Sequence, residues 1–251
     1  MDRTPGTLIV TGGGRGIGAA TARLAALRGY AVAVNYATNE AAASGVVREI
    51  EQGNGRAKAI HADVSKENGV LQLFETAERT LGRAVALVNN AGITGGFSRL
   101  EDLEAATLER VLAVNVTGAM LCAREAVRRM STRHGGAGGA IVNISSRAAQ
   151  LGSAGEWIHY AVSKGAIDTL TIGLAKEVAS EGIRVNAVAP GLVETDIHAA
   201  AGEPGRPQRM AAGIPLGRAC KPEEVAEAVL WLLSPAAAYI TGAILPVSGG
   251  R

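Results

Sequence analysis

The chain has 251 residues, 47% hydrophobic and 19% charged, a composition that suits one sizeable α/β domain with a well-buried core and calls for no second domain. Its 25 basic residues stand against 23 acidic ones, a formal net charge of +2, too small to indicate nucleic acid or an anionic membrane surface as a partner. Cys122 and Cys220 lie far apart without metal-ligand or disulfide spacing, Met1 to Gly6 carries no apolar core like that of a signal peptide, and no apolar run approaches transmembrane length, so a cytoplasmic protein without metal, nucleic acid or membrane partners is expected.

Thr7 to Thr11 is a short apolar, β-branched run that reads as a buried strand. Gly12-Gly13-Gly14-Arg15-Gly16-Ile17-Gly18 follows, then a helical pattern from Ala19 to Arg28 closed by Gly29. A strand, a glycine-rich turn and a helix in that order outline a dinucleotide site, in which glycines let the backbone approach a pyrophosphate at the helix N-terminus. The register is Thr11-Gly12-x-x-x-Gly16-x-Gly18. A bare glycine cluster reads equally as a flexible turn, and the flanking strand and helix favour phosphate.

Ala31 to Asn35 reads as the second strand, and Asn39 to Gln52 as a helix ended by Gly53. Arg56 to Ala62 is a third strand that delivers Asp63-Val64, after which Ser65 is placed to cap a helix running to Leu81. Ala84 to Val88 is the fourth strand, followed by Asn89-Asn90-Ala91-Gly92. Ligands gather at such carboxyl ends in open parallel sheets, although an ordinary turn has the same composition. A helical region from about Thr107 to Met130 carries Asn115 among apolar residues, where an amide either hydrogen-bonds within the core or serves a site.

Ala140 to Ile144 is the fifth strand and ends in Ser145-Ser146. The next helix, running to Ser180, bears Tyr160 and Lys164, four residues apart and therefore on one face. A neighbouring ammonium lowers the pKa of a phenol and fits it for general acid or base work, but an isolated Tyr-x-x-x-Lys pair reads more readily as a core cap and a solvated charge. Arg184 to Ala189 is the sixth strand, ending at Pro190-Gly191. From Leu192 to Ala219 the pattern dissolves, as in either a functional lid or a disordered segment. Pro222 opens a helix to Leu233, and Ala243 to Val247 closes the sheet. The fold class is therefore α/β: a single-domain, doubly wound (Rossmann-type) parallel sheet of about seven strands with helices on both faces, spanning 1–251, with a substrate lid at about 192–219.

Taken together, Thr11-Gly12-x-x-x-Gly16-x-Gly18, Asp63, Asn89-Asn90-Ala91-Gly92, Asn115, Ser146, Tyr160-x-x-x-Lys164 and Pro190-Gly191-x-x-x-Thr195 occur in an order that resembles the short-chain dehydrogenase/reductase family from Thr7 to Gly250. The resemblance implies a catalytic set of Ser146, Tyr160, Lys164 and Asn115. Tyr160 exchanges a proton with a substrate carbonyl or alcohol, Ser146 holds the substrate oxygen, Lys164 binds the nicotinamide ribose and lowers the Tyr160 pKa, and Asn115 holds a water. It implies a cofactor-binding set of Gly12, Gly14, Arg15, Gly16, Ile17, Gly18, Asn35, Tyr36, Asp63, Val64, Asn89, Ala91, Gly92, Lys164, Pro190, Gly191, Val193 and Thr195, and no metal ligands.

Two departures from the family pattern stand out. Ser146 and Tyr160 are 14 apart (160 − 146 = 14), one more than usual, which keeps Ser145 as an alternative to Ser146. Ser248 stands where many relatives carry Asp.

The implied activity is an NADP(H)-dependent carbonyl reductase or alcohol dehydrogenase acting on a small molecule. A 3-oxoacyl-[acyl-carrier-protein] reductase is the alternative, ranked second because Glu181 would repel an acidic carrier. A non-catalytic cofactor-binding regulator is more distant, since such proteins usually lose Tyr or Lys. NADP(H) is preferred, with NAD(H) possible: the end of the second strand offers Tyr36 where NAD users place an acid, and Arg15 can meet a 2′-phosphate. Arg147, Gln150, Glu156, Trp157, Val193 and the lid, Ile197 to Ile214, are the expected substrate walls. A homotetramer is expected from the resemblance, from the small-residue face of the Tyr160 helix (Ala166, Thr169, Gly173) and from the apolar tail Ile244 to Val247.

Overall fold

Apolar runs of strand length alternate with helical patterns along the chain, and the computed structural model, which describes residues 6–251, stacks them into three layers. Residues 1–5, on which the expectation of no leader segment falls, lie outside the described residues. The strands are β1 (Thr7–Val10), β2 (Ala31–Tyr36), β3 (Arg56–His61), β4 (Ala84–Asn89), β5 (Gly139–Ile144), β6 (Ile183–Pro190) and β7 (Ile244–Val247). They form one sheet in the order β3-β2-β1-β4-β5-β6-β7, with every pairing parallel. The helices are α1 (Gly16–Leu27), α2 (Glu40–Gln52), α3 (Glu67–Leu81), α4 (Ala105–Leu112), α5 (Gly118–Met130), α6 (Ala148–Leu151), α7 (Ile158–Val178), α8 (Ile197–Ala200), α9 (Arg206–Met210) and α10 (Pro222–Leu233).

Side chains alternate across the sheet. Leu8 and Val10 of β1 pack with Ala22 of α1, Val46 of α2 and Val229 of α10, while Ile9 faces Leu73 and Phe74 of α3, Cys122 of α5 and Val178 of α7. Both faces being covered, the central strands read as unbroken apolar runs. Sheet growth reverses between β1 and β4, and in such folds a cleft for ligands opens beyond the carboxyl ends of the strands at that point.

Several details differ from the sequence reading. The helix expected from about Thr107 begins at Ala105 and is interrupted by a π-helical turn at Ala113–Thr117, a feature that often marks functional sites. By length and composition alone Ala105–Met130 could cross a membrane, contrary to the expectation of no such run, but here Cys122, Ala126 and Met130 are buried against the sheet. Lys66, not Ser65, occupies the cap position of α3. The Ser65 hydroxyl and amide both donate to Asp63 Oδ1 (2.7 and 3.0 Å), because a carboxylate is the stronger acceptor. The stretch 192–219, expected to form a lid, is not patternless either, since it carries α8, α9 and a 3₁₀ turn, Ala211–Gly213. Cys122 and Cys220 are both free thiols.

Candidate active site

The turn from β1 to α1 is held from three sides. Asn35 Oδ1 accepts from the Gly12 amide (3.1 Å), and Asn35 Nδ2 donates to the carbonyls of Ile60 (3.3 Å) and Ala62 (3.0 Å). Just after β4, Asn90 Nδ2 donates to the carbonyls of Thr11 (2.9 Å) and Gly12 (3.0 Å), and the Thr11 hydroxyl accepts from the amides of Asn90 and Ala91 (2.9 and 3.0 Å). Gly12 sits at φ +61°, and a Cβ on Gly18 would lie 2.4 Å from the Gly12 carbonyl oxygen, so the curl of the turn needs glycine at both positions.

Beside this turn lies a cavity of about 410 Å³, lined by Gly12, Gly14, Arg15, Gly16 and Ile17, by Asn35, Tyr36, Asp63 and Val64, and by Ala91, Gly92 and Thr195. The α1 N-terminus, with no acidic residue in its first turn, faces the turn. Exposed backbone amides at a helix N-terminus fit a pyrophosphate, so the residues present suit a dinucleotide. Asp63 closes the far side: burial works to raise its pKa, but the Ser65 hydrogen bonds, Arg110 and Lys66 hold its carboxyl below the usual value.

A second cavity of about 400 Å³ adjoins the first, and Ile17, Asn90, Gly92, Thr195 and Ile197 line both. Ser146, Tyr160, Lys164, Pro190, Gly191 and Val193 open onto it. The Tyr160 phenol lies beside Ser146, which works to lower its pKa, and Lys164 Nζ lies 5.6 Å from the Tyr160 ring centroid. Lys164 is 4% exposed, and its ammonium donates to the Ile144 carbonyl (2.7 Å). Asn115, in the π-helical turn, accepts from the Ile93 amide (2.9 Å) and donates to the Ile93 carbonyl (2.9 Å) and the Ser163 hydroxyl (3.0 Å). It thereby shapes the segment after β4.

Ser145 is turned the other way, with its hydroxyl donating to Asp168, so Ser146 is the serine that meets the phenol. Burial pushes the Tyr160 phenol up to about 12, with the Ser146 hydrogen bond pulling against it, and pushes Lys164 down to about 8, with Asp168 opposing. The lowering of Tyr160 by Lys164 expected from sequence does not operate in this structure: burial dominates, and Ser146 is what opposes it.

The outer wall of the second cavity is aromatic and ionic. Trp157 stacks on Phe97 (4.6 Å between centroids) and leans against Tyr160 (5.9 Å). Arg206 from α9, 4% exposed, lies over both rings (4.9 Å to Trp157 and 5.4 Å to Phe97) and pairs with Glu156 and Glu203. Ser98 donates its amide to the Glu156 carbonyl (2.8 Å), tying the loop after β4 to the start of α7.

Most residues singled out from sequence line one cavity or the other, but five do different work, the first being Asn115, which borders neither cavity and spends its amide on Ile93 and Ser163. Asn35 borders the first cavity, yet its amide is spent on the three-sided brace of the glycine turn. Asn89 borders neither: it is buried, donating to the Ala119 carbonyl (3.1 Å) and Asn143 Oδ1 (3.0 Å), because its side chain falls on the covered side of β4. Gly18 packs beneath the turn and borders neither cavity. Gln150 faces Asp168 and does not line the second cavity. The sequence reading missed Arg110, Asp168, Arg251 and the particular role of Arg206. Asn90 was readable as the residue beside Asn89, whereas Arg206 stands in a stretch without periodicity.

A family model described as enoyl-(acyl carrier protein) reductase matches residues 12–251. The chain is 53% identical, over 97% of its length and 98% of the relative's, to an uncharacterized oxidoreductase, YgfF, of Escherichia coli (strain K12). It is 42% identical, over 96% of its length and 94% of the relative's, to the cis-4-hydroxycyclohexanecarboxylate dehydrogenase of Sinomonas cyclohexanicum. The fold is similar to the crystal structure of a dehydrogenase/reductase from Sinorhizobium meliloti 1021, with a TM-score of 0.89 at 37% identity, covering 98% of this chain and 94% of that one. With the glycine turn, the Ser146, Tyr160 and Lys164 group and the seven-stranded parallel sheet all in place, the chain belongs to the short-chain dehydrogenase/reductase family.

Proposed function

We propose that the protein is an oxidoreductase that moves a hydride between NADP(H) and a carbonyl or secondary alcohol, with Tyr160 as general acid/base. The observation that carries this reading is the position of Tyr160, Ser146 and Lys164 beside the shared wall of a dinucleotide-shaped cavity and a second, partly apolar one. The nicotinamide cofactor, when bound, supplies or accepts the hydride. Ser146 holds the substrate oxygen against the Tyr160 phenol. With its pKa pushed up to about 12, the phenol is protonated at neutral pH and stands ready to donate in the reducing direction. Lys164, at about 8, is still mostly charged at pH 7 and offers its ammonium to the phenol oxygen and to a ribose.

The end of the first cavity formed by Arg15, Tyr36, Ala37, Thr38 and Asn39 carries no carboxylate. This supports NADP(H) over NAD(H). The substrate is a small carbonyl or hydroxy compound that fits against Trp157, Leu192 and Ile197. The name of the Sinomonas cyclohexanicum relative, a hydroxy acid dehydrogenase, agrees with such a substrate.

A second reading, 3-oxoacyl-[acyl-carrier-protein] reductase, draws on a Synechocystis relative of that name, 40% identical over 96% of this chain. Glu181 counts against it less than the sequence alone indicates, since its carboxylate accepts from the Ser131 hydroxyl and lies 3.9 Å from Arg133. We also propose a homotetramer. Val162 and Ile172 on the outer face of α7 are 58% and 41% exposed, beside Gly173, where an added Cβ would meet nothing within 4 Å.

Tyr160→Phe tests the mechanism. Turnover should fall about 100- to 10,000-fold, the worth of a positioned proton donor, while cofactor affinity stays near wild type. Ser146→Ala should lose far more activity than a change at Ser145 that keeps its hydroxyl, Ser145→Thr. Near-normal turnover in purified Tyr160→Phe, across ketones, sugars, polyols and acyl thioesters, overturns the assignment.

A further inference from the structure

Asp168 stands on α7 one helical turn beyond Lys164 (168 − 164 = 4), outside every residue set assigned above. Its two carboxylate oxygens hold two points of the chain that follows β5. Ser145 Oγ donates to Oδ1, and Gln150 Nε2 donates to Oδ2 (2.9 Å). Gln150 Oε1 in turn accepts from Arg147 Nη1 (3.0 Å). The main chain here is tied to β6 and its exit, with the Ser145 amide donating to the Val188 carbonyl (2.8 Å) and the Arg147 amide to the Pro190 carbonyl (2.9 Å). Ser146 lies inside this fastened stretch, so the direction of its hydroxyl depends on a carboxylate 22 residues away (168 − 146 = 22).

The same carboxylate bears on Lys164. The groups that face the buried ammonium from other elements are uncharged: the Ile144 carbonyl of β5, Gly92 after β4, and Asn115 in the π-helical turn. On α7 itself the titratable neighbours are Tyr160 and Asp168. We propose that Asp168 is a positioning residue with two tasks: it clamps residues 145–150 so that Ser146 faces Tyr160, and it supplies the negative charge that keeps Lys164 protonated. The proposal rests on the reading of Ser146, Tyr160 and Lys164 as the catalytic group. It agrees with the balance at Lys164, where burial lowers the pKa and Asp168 raises it. It agrees also with the balance at Asp168, where burial raises the pKa and Ser145, Lys164 and Gln150 lower it.

Two substitutions separate the tasks. Asp168→Asn is nearly isosteric, removes the charge and keeps the Ser145 half of the clamp, its NH₂ being set against the Gln150 Nε2 donor, whereas Asp168→Ala removes the charge and the whole clamp. The Lys164 ammonium is followed by NMR of protein labelled with ¹³Cε-lysine, in the absence of cofactor, with its resonance assigned through Lys164→Arg. In Asp168→Asn the Lys164 titration midpoint should fall by about one pH unit, the scale of losing a nearby opposite charge, and Asp168→Glu should restore it. The alkaline fall of kcat for carbonyl reduction should move to lower pH by the same step, because the active form holds Lys164 charged. In Asp168→Ala, kcat should drop a further 10- to 100-fold or so, the scale of a misplaced catalytic group, with cofactor affinity little changed. A Lys164 midpoint that stays in place in Asp168→Asn overturns the charge role, even if the Ala variant fails to fold. A thermally destabilised Asp168→Ala with wild-type kcat overturns the clamp. The NMR result needs no turnover, so it is independent of the Tyr160→Phe test of the mechanism itself.

Discussion

Replacing Asn35 by Asp exchanges one NH₂ group for an oxygen at a residue that is 2% exposed. In the native protein Nδ2 faces the carbonyl oxygens of Ala62 (3.0 Å), Ile60 (3.3 Å) and Tyr36 (3.4 Å), while Oδ1 receives the Gly12 amide (3.1 Å). A carboxylate keeps the one donor and sets its second oxygen against three acceptors. An uncompensated buried charge of this kind costs about 3 to 5 kcal/mol. The alternative, taking up a proton, raises the folded-state pKa above the unfolded value of about 3.9. A raised carboxyl pKa destabilises in one direction: the deficit is smallest below about pH 3.9, where both states are protonated, and grows as pH rises toward the folded-state pKa, above which it is constant. For a domain of this size each kcal/mol moves Tm by about 2 to 4 °C, so Asn35→Asp should melt about 6 to 20 °C below wild type at pH 7.5 and less far below it at pH 5. Scanning calorimetry of both proteins at equal protomer concentration measures this. A Tm within about 2 °C of wild type at pH 7.5 refutes the claim that this amide braces the glycine turn.

Arg15→Ala should weaken NADPH binding by about 10- to 100-fold, the worth of a hydrogen bond to a charged group, and leave NADH binding nearly unchanged; equal affinities for the two cofactors in wild type contradict the preference. Light scattering at micromolar concentration should return four times the chain mass, and Ile172→Glu on the exposed face of α7 should lower it. A monomeric mass for the wild type removes the tetramer.

The sheet was readable because β1, β4, β5 and β6 are buried on both faces and therefore appear as apolar runs between turn signals. Tyr160 and Lys164 were readable as neighbours because helical spacing alone brings them together. The choice between Ser145 and Ser146 was not, since it depends on where Asp168 lies. Amides were the least transparent residues: Asn35, Asn89 and Asn90 have the same chemistry, and only the packing of β2 and β4 sends the first two into the sheet and the third to the cleft. Arg206 was hidden for a different reason. Its surroundings come from three separated stretches, and α9 is too short to show a period.

The joint at Arg206 bears on how this enzyme can be redesigned. Phe97, Trp157 and Arg206 meet there, and Trp157 passes that contact on to Tyr160. The stretch 192–219 is consequently no interchangeable module. A chimera that imports residues 192–219 from a relative, without the matching residues at 97 and 156–157, leaves Glu156 without its guanidinium and the Trp157 face uncovered. To widen the range of accepted compounds, all three stretches have to be varied in one library, because a change that suits one of them alone is judged against two unaltered partners.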